Sequence, residues 1–152
     1  MAVEVPGFLA AGIACGIKPS GKADLALIVS DRPAAAAAVF TSNRFPGAPV
    51  VISRRNIRHG IARGAVVNSG VSNVANGARG LADAREMTRL LASAIGSRAS
   101  EIQVASTGVI GRTLPMEKLR EGTPRAAAEL STRGCERGAG ASRSTDEGPK
   151  LA

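Results

Sequence analysis

Two polar, glycine-bearing segments hold the residues best suited to chemistry, at positions 68–77 (NSGVSNVANG) and 106–111 (STGVIG). Each lies between an apolar run and a helical pattern, a place where a rigid scaffold commonly presents binding groups. In the second, the backbone N–H of Gly108 beside the hydroxyl of Thr107 would make a two-donor oxyanion hole. Donors of this kind stabilise the charge that develops on a carbonyl oxygen during acyl transfer. Glycine suits the position because a substrate carbonyl could then approach the main chain closely. An ordinary strand-to-helix turn has the same residue pattern, so these residues by themselves leave both readings open.

Other chemistries fit less well. A serine-hydrolase triad needs a base oriented by an acid. The sole histidine, His59, follows Arg54, Arg55 and Arg58 with no acid near it in sequence. Cys15, between Ala14 and Gly16 in an apolar run, fits an inert buried thiol. Cys135, flanked by Arg133 and Arg137, reads as a surface cysteine. One histidine and two cysteines do not make a four-ligand zinc site, so no metal is expected. The glycines at 7–12 and 76–80 lack the spacing of a phosphate cradle.

The elements that must position these groups come from 152 residues, 44% hydrophobic and 21% charged, which suffices for one packed domain or part of a larger one. Aromatics reach only 2%, so the core has to be aliphatic and rich in alanine. Two cysteines give no disulfide framework, which points to a reducing compartment. The longest small-apolar run, at 33–40, falls far short of the ~20 residues of a membrane span. Glu4 and Pro6 stand where a signal peptide would be basic and then apolar. A cytoplasmic protein without membrane attachment is expected. The net charge is +8, and no acid occurs between Asp31 and Asp83. That stretch could neutralise phosphates, but its basic cluster holds no aromatic stacking platform, so nucleic acid is not the expected partner. The alternatives are a solvated face or a surface that meets an acidic chain.

Short apolar runs predict strands at 8–17, 25–29, 36–41, 49–52, 65–67 and 102–105. Leu81, Ala84, Met87, Leu91, Ala94 and Ile95 recur at helical spacing, and Gly96 supplies a stop. Leu114-Pro115 opens a second helix running to about Leu130, which Pro124 should break or kink. A core domain at 1–132 is followed by a Gly- and charge-rich segment at 133–152 that reads as a flexible tail.

A set of ordered motifs adds a resemblance. They are Gly7-Phe8-Leu9-Ala10-Ala11-Gly12-Ile13, Gly16-Ile17-Lys18, Asp24-Leu25-Ala26-Leu27-Ile28, Ala38-Val39-Phe40-Thr41-Ser42-Asn43, Ala48-Pro49-Val50 and Val67-Asn68-Ser69-Gly70, then Gly80, Asp83-Ala84, the STGVIG segment, Thr145-Asp146 and Pro149-Lys150. In this order the chain resembles the N-terminal part of the ornithine acetyltransferases, the bifunctional glutamate N-acetyltransferase family of arginine biosynthesis. The resemblance implies an α/β (α+β) fold of stacked sheets between helical layers, with this chain as the N-terminal, α-chain half. It also implies an acyl-enzyme mechanism. In the family the precursor cleaves itself before a threonine, whose hydroxyl becomes the nucleophile and whose new α-amino group serves as base. An ordinary α-amino pKa of ~8 suits that task. Acetyl passes from N2-acetylornithine to the threonine and then to glutamate. By the resemblance, Thr107 and Gly108 match the oxyanion positions and Thr145 a substrate-contacting threonine. No cofactor is implied, apart from acetyl-CoA as a second acetyl donor. The partner would be a β-chain carrying the nucleophile, in an α2β2 assembly.

Two departures accompany the resemblance. The family's nucleophile lies downstream of Lys150, and this sequence runs to Ala152. Ser144 stands where the family has the first of two threonines, after glycines and Arg143 in place of a small-apolar helix. The isolated chain is therefore expected to be inactive, with a non-catalytic remnant or binding module of the same fold as the alternative.

Overall fold

Alternation of apolar residues along four strands builds one sheet, and helices with a single apolar face close one side of it. The computed structural model describes residues 4–143. In chain order the elements are β1 (Phe8–Ile13), β2 (Leu25–Ala35), α1 (Ala48–Asn56), β3 (Ile61–Val71), α2 (Gly77–Ile95), β4 (Ile102–Val109), α3 (Met116–Ala128) and α4 (Cys135–Ala141). The strands lie in the order β1-β2-β3-β4. The first three are antiparallel, and β4 runs parallel to β3 after the crossover through α2. This is the mixed α/β class expected, and the described residues contribute one sheet to it. No helix among them is long and apolar enough to cross a membrane.

Strand register sorts the side chains onto two faces. Leu25, Leu27 and Val29 of β2 fall on the same side as Val66 of β3 and Ile102 and Val104 of β4. They form one buried cluster with Ile52 of α1, Met87 and Leu91 of α2, and Leu119 of α3. The other side carries Phe8, Ala10 and Gly12, then Ala26 and Ile28, Ala65 and Val67, and finally Gln103, Ala105 and Thr107. On that side α4 packs across β1 and the adjoining part of β2.

Several sequence expectations are corrected. Residues 49–52 are helical, inside α1, despite the β-branched run Val50-Val51-Ile52. Proline in the first turn is preorganised for a helix start. Burying Ile52 and Ser53 on the sheet then outweighs strand propensity, and the Ser53 hydroxyl bonds the main chain of Val104. Residues 36–41 form no strand, and Val39 is 98% exposed. Instead β2 continues through Pro33, where its register with β3 shifts between Val29 and Ala34. A bulge of this kind tolerates a residue without an N–H. The first strand ends at Ile13, four residues early, because the buried Asp24 carboxylate takes the N–H groups of Cys15 (2.8 Å) and Lys18 (2.9 Å) and bends the chain.

The helices differ from expectation as well. Pro124 does not interrupt α3. The proline removes one helical donor, while the Thr123 hydroxyl bonds Leu119 O at 2.7 Å. The segment at 133–143, read as part of a flexible tail, contains α4. Gly134 just before it and Gly12 on β1 are what let it dock. A Cβ at Gly134 would stand 1.7 Å from Ala10 O, and one at Gly12 would stand 2.0 Å from Arg137 O. Gly96 does end α2, in the left-handed conformation with its N–H on Ala92 O.

Candidate functional site

Thr107 and Gly108 lie at the C-terminal end of β4, and the register sets them against Ser69 and Gly70 of β3. Both strands run further than their apolar runs predicted, so these residues sit in the sheet and not in a turn beyond it. Gly108 is exposed and has φ +131°, a conformation that side chains rarely adopt. A Cβ there would stand 2.3 Å from the carbonyl carbon of Gly70. Glycine is thus required at 108 by the approach of the neighbouring strand, whatever else approaches from outside.

Thr107 shares the helix-poor side of the sheet with Ser69. The Ser69 hydroxyl is buried and donates to Ala141 O at 2.6 Å, which pins the last turn of α4 beside the β3–β4 pair. Below, on the helix-covered side, Asn68 and Ser106 are register partners. Asn68 is fully buried and its amide donates to Val71 O at 2.9 Å. Its Oδ1 and the Ser106 hydroxyl are buried without a hydrogen-bond partner among the described residues.

The structure brings in one charged residue that composition did not single out. Lys18 packs against Gly70, whose added Cβ would meet Lys18 Cγ at 3.3 Å. Its ammonium donates to Ala23 O at 3.0 Å and to Arg143 O at 2.5 Å. Burial pulls its pKa below the ordinary lysine value, and the nearby Asp24 carboxylate opposes that shift. The Lys18 stem therefore lies beside Gly70, and its ammonium ties this part of the chain to Arg143, just past the end of α4. Its sequence signal was the Gly16-Ile17-Lys18 motif within the resemblance, not any local chemical pattern.

Other candidates fall elsewhere. Much of the 68–77 segment spends its hydrogen bonds inward. Asn73, at φ +53°, donates to Gly80 O at 2.9 Å and takes the N–H of Ala48 on its carbonyl at 3.2 Å. Asn76 reaches Arg112 O at 2.7 Å. These bonds join the starts of α1 and α2 to the chain leaving β4. His59 lies in the 3-10 turn after α1, away from Thr107. Burial pushes the Cys15 thiol up to about 12, with Asp24 adding to the shift, as suits an unreactive cysteine. Thr145 lies outside the described residues.

The helix-poor side of the sheet is apolar. Phe8 and Ile28 remain 40% and 45% exposed there. A cleft of about 330 Å³ runs between Phe8, Ala10, Ala26, Ile28 and Val67 on the sheet and Gly138 on α4.

Comparison with known proteins places this arrangement. The ArgJ family model matches residues 9–152. The chain is 46% identical over 149 residues to the arginine biosynthesis bifunctional protein ArgJ of Geobacter sulfurreducens, covering 98% of this chain and 38% of that protein. It is 46% identical over 154 residues to the ArgJ of Thermobifida fusca, covering 100% of this chain and 40% of that protein. The chain thus spans about two-fifths of the length of these curated relatives. Among solved structures it is similar to the ornithine acetyltransferase of Mycobacterium tuberculosis complexed with ornithine. The TM-score is 0.91 at 39% identity, covering 93% of this chain and 78% of that one. The ArgJ structure from Bacillus halodurans gives a TM-score of 0.88 at 34% identity, covering 96% and 78%.

Proposed function

The chain belongs to the ArgJ family, and on that premise we propose that it is the α-chain part of an acetyltransferase moving acetyl from N2-acetylornithine to glutamate. The nucleophile is a threonine on a second, β-type chain. Its hydroxyl attacks the acetyl carbonyl while its α-amino group takes the proton. The Gly108 N–H and the Thr107 hydroxyl hold the oxyanion, ornithine leaves, and the glutamate amine then attacks the acyl-threonine. The acetyl group arrives on its donor, N2-acetylornithine or acetyl-CoA, so the reaction needs no cofactor. Thr145 contacts substrate, and two α- and two β-chains assemble in the cytoplasm.

The observation that carries this reading is the position of Thr107 and Gly108 at the end of β4, on the rim of an apolar sheet face that α4 covers only in part. A second layer bearing the nucleophile would bury Phe8 and Ile28 and bring a threonine to that rim. Lengths support two chains. This chain covers 38% of one curated relative but 78% of the solved chain it resembles, so the solved chain is about half as long.

The test is acetyl transfer from N2-acetylornithine to glutamate, by the purified chain and by the chain produced together with a downstream partner that begins with threonine. The isolated chain is expected to be silent and the pair active. Thr107→Ala in the pair should lower kcat by about 10²–10³-fold, the usual loss for one oxyanion donor. Transfer by the isolated chain, or an inactive pair, overturns the reading.

A further inference from the structure

On the outer side of the helical layer, α1 and α2 enclose a second cleft of about 280 Å³, lined by Arg55, Asn56 and His59 from the first helix and its 3-10 turn, and by Arg85, Thr88 and Arg89 from α2. We propose that this cleft binds a compact anion carrying two or more linked phosphates.

The walls are fixed. The Asn56 amide donates to Ala99 O at 3.1 Å and to Ile102 O at 2.8 Å, tying the end of α1 to the start of β4. The Thr88 hydroxyl bonds Arg85 O at 2.8 Å. Ile52, also at the cleft, is buried in the main core cluster. The cavity therefore does not depend on a mobile loop.

Its charge is uncompensated. Among the described residues no carboxylate lines the cleft. Arg55, Arg85 and His59 make no side-chain hydrogen bond or ion pair among the described residues. The acid nearest in sequence on α2, Glu86, is taken by Arg120 at 2.6 and 3.1 Å, which holds its carboxyl below the usual range; Arg89 adds only a smaller through-space effect. Arg85 and Arg89 are four residues apart on one helix, where like charges repel. Three guanidinium groups turned on one cavity without a counter-charge favour a multivalent anion, and their planar forks match paired phosphate oxygens.

The cleft is separate from the proposed reaction site. Its wall residue Asn56 bonds Ile102 O, and Thr107 is five residues further along β4, about 17 Å at ~3.3 Å per residue. Of the basic cluster at 54–59, Arg55 and His59 line this cleft, and α2 adds Arg85 and Arg89 from outside the acid-free stretch.

Calorimetric titration of the full-length protein at low salt with orthophosphate, pyrophosphate, ATP and citrate tests this. Pyrophosphate should bind at least about 10-fold more tightly than orthophosphate, because two linked phosphates engage more than one fork. ATP binding like pyrophosphate identifies a nucleotide as the source, and ATP binding more weakly identifies a free polyphosphate. Arg85→Ala and Arg89→Ala should each weaken binding about 10-fold or more. Both side chains are exposed on α2 and alanine favours helix, so these variants keep the fold; Arg85→Gln and Arg89→Gln serve as second versions. Arg32→Ala, remote and paired with Asp31, should change nothing. The proposal falls if pyrophosphate does not bind, if citrate binds as tightly, or if the cleft variants bind unchanged. It also falls if a DNA duplex outcompetes pyrophosphate and that binding is lost in Arg54→Ala, which lies outside the cleft.

Discussion

The two faces of the sheet use neighbouring residues of the same strands to opposite ends. In β2, Leu25, Leu27 and Val29 are buried in the core that α1, α2 and α3 close, while Ala26 and Ile28 between them face the side that, among the described residues, only α4 covers. The closed face is filled by large aliphatic side chains. The open face is mostly small residues, with Phe8 and Ile28 standing clear. Strand alternation makes such a division automatic, but it does not decide that one face stays partly bare. Exposed large apolar side chains on one face suit a contact surface, and the candidate site residues lie along its edge. Stability therefore resides on one side of the sheet and the proposed assembly on the other.

The largest effect should come from substitutions that separate these two roles within one strand. Leu27→Ala removes a fully buried side chain and is expected to cost about 2–5 kcal/mol in urea unfolding. Ile28→Ala should cost about 1 kcal/mol or less in this chain, because nearly half of the side chain already meets water. Paired with the proposed second layer, Ile28→Ala should become the more damaging change for association. Equal costs in the isolated chain would erase the distinction between the faces.

The closed face was the legible part of the molecule. The helical period over 81–95, the stop at Gly96 and the apolar runs of β2, β3 and β4 all reflect burial on one side, which periodicity records directly. The open side was harder to read. Residues 134–141 include Gly134, Gly138 and Gly140, and glycine next to charge carries the same signature as a loop. Only the position of Ala10 O shows that Gly134 is a close contact, and only that of Arg137 O shows the same for Gly12 on β1. Residues 49–52 were misread for a related reason: strand propensity is local, whereas burial of Ser53 against Val104 joins residues far apart in sequence. Thr107 and Gly108 were legible as candidates from their types, yet the reason for glycine at 108 is its contact with Gly70, which no spacing rule contains.

A middle-sized effect tests whether α4 belongs to the open side as a removable cover. Gly134→Ala places a methyl 1.7 Å from Ala10 O, a main-chain atom that cannot rotate away. Gly134 has φ −76°, so alanine meets no conformational penalty and the clash alone acts. Overpacking of this kind costs about 1–3 kcal/mol. It should appear as lost amide protection over 135–141, with protection in α2 retained. If α2 loses protection to the same degree, α4 and the closed core unfold as one unit and the two-sided description fails.

The smallest effect concerns rates, and the two thiols report one on each side. Cys15 packs against the closed core beside Gly122, and its pKa is pushed up to about 12, first by burial and then by Asp24. At neutral pH it therefore carries less thiolate than an ordinary cysteine, and its alkylation by iodoacetamide should be slow. Cys135 lines the cleft on the open side, and it should be alkylated first. Raising the pH sharpens the contrast. The folded thiol keeps its proton above pH 9, where the unfolded one loses it, so its contribution to stability is complete below pH 9 and disappears as pH rises toward 12. Cys15 labelling should therefore quicken above pH 9 together with a fall in stability. In the assembled protein the proposed second layer would cover Cys135, leaving neither thiol reactive at pH 8. Rapid labelling of Cys135 in the active assembly would show that the second layer does not seal this end of the open face.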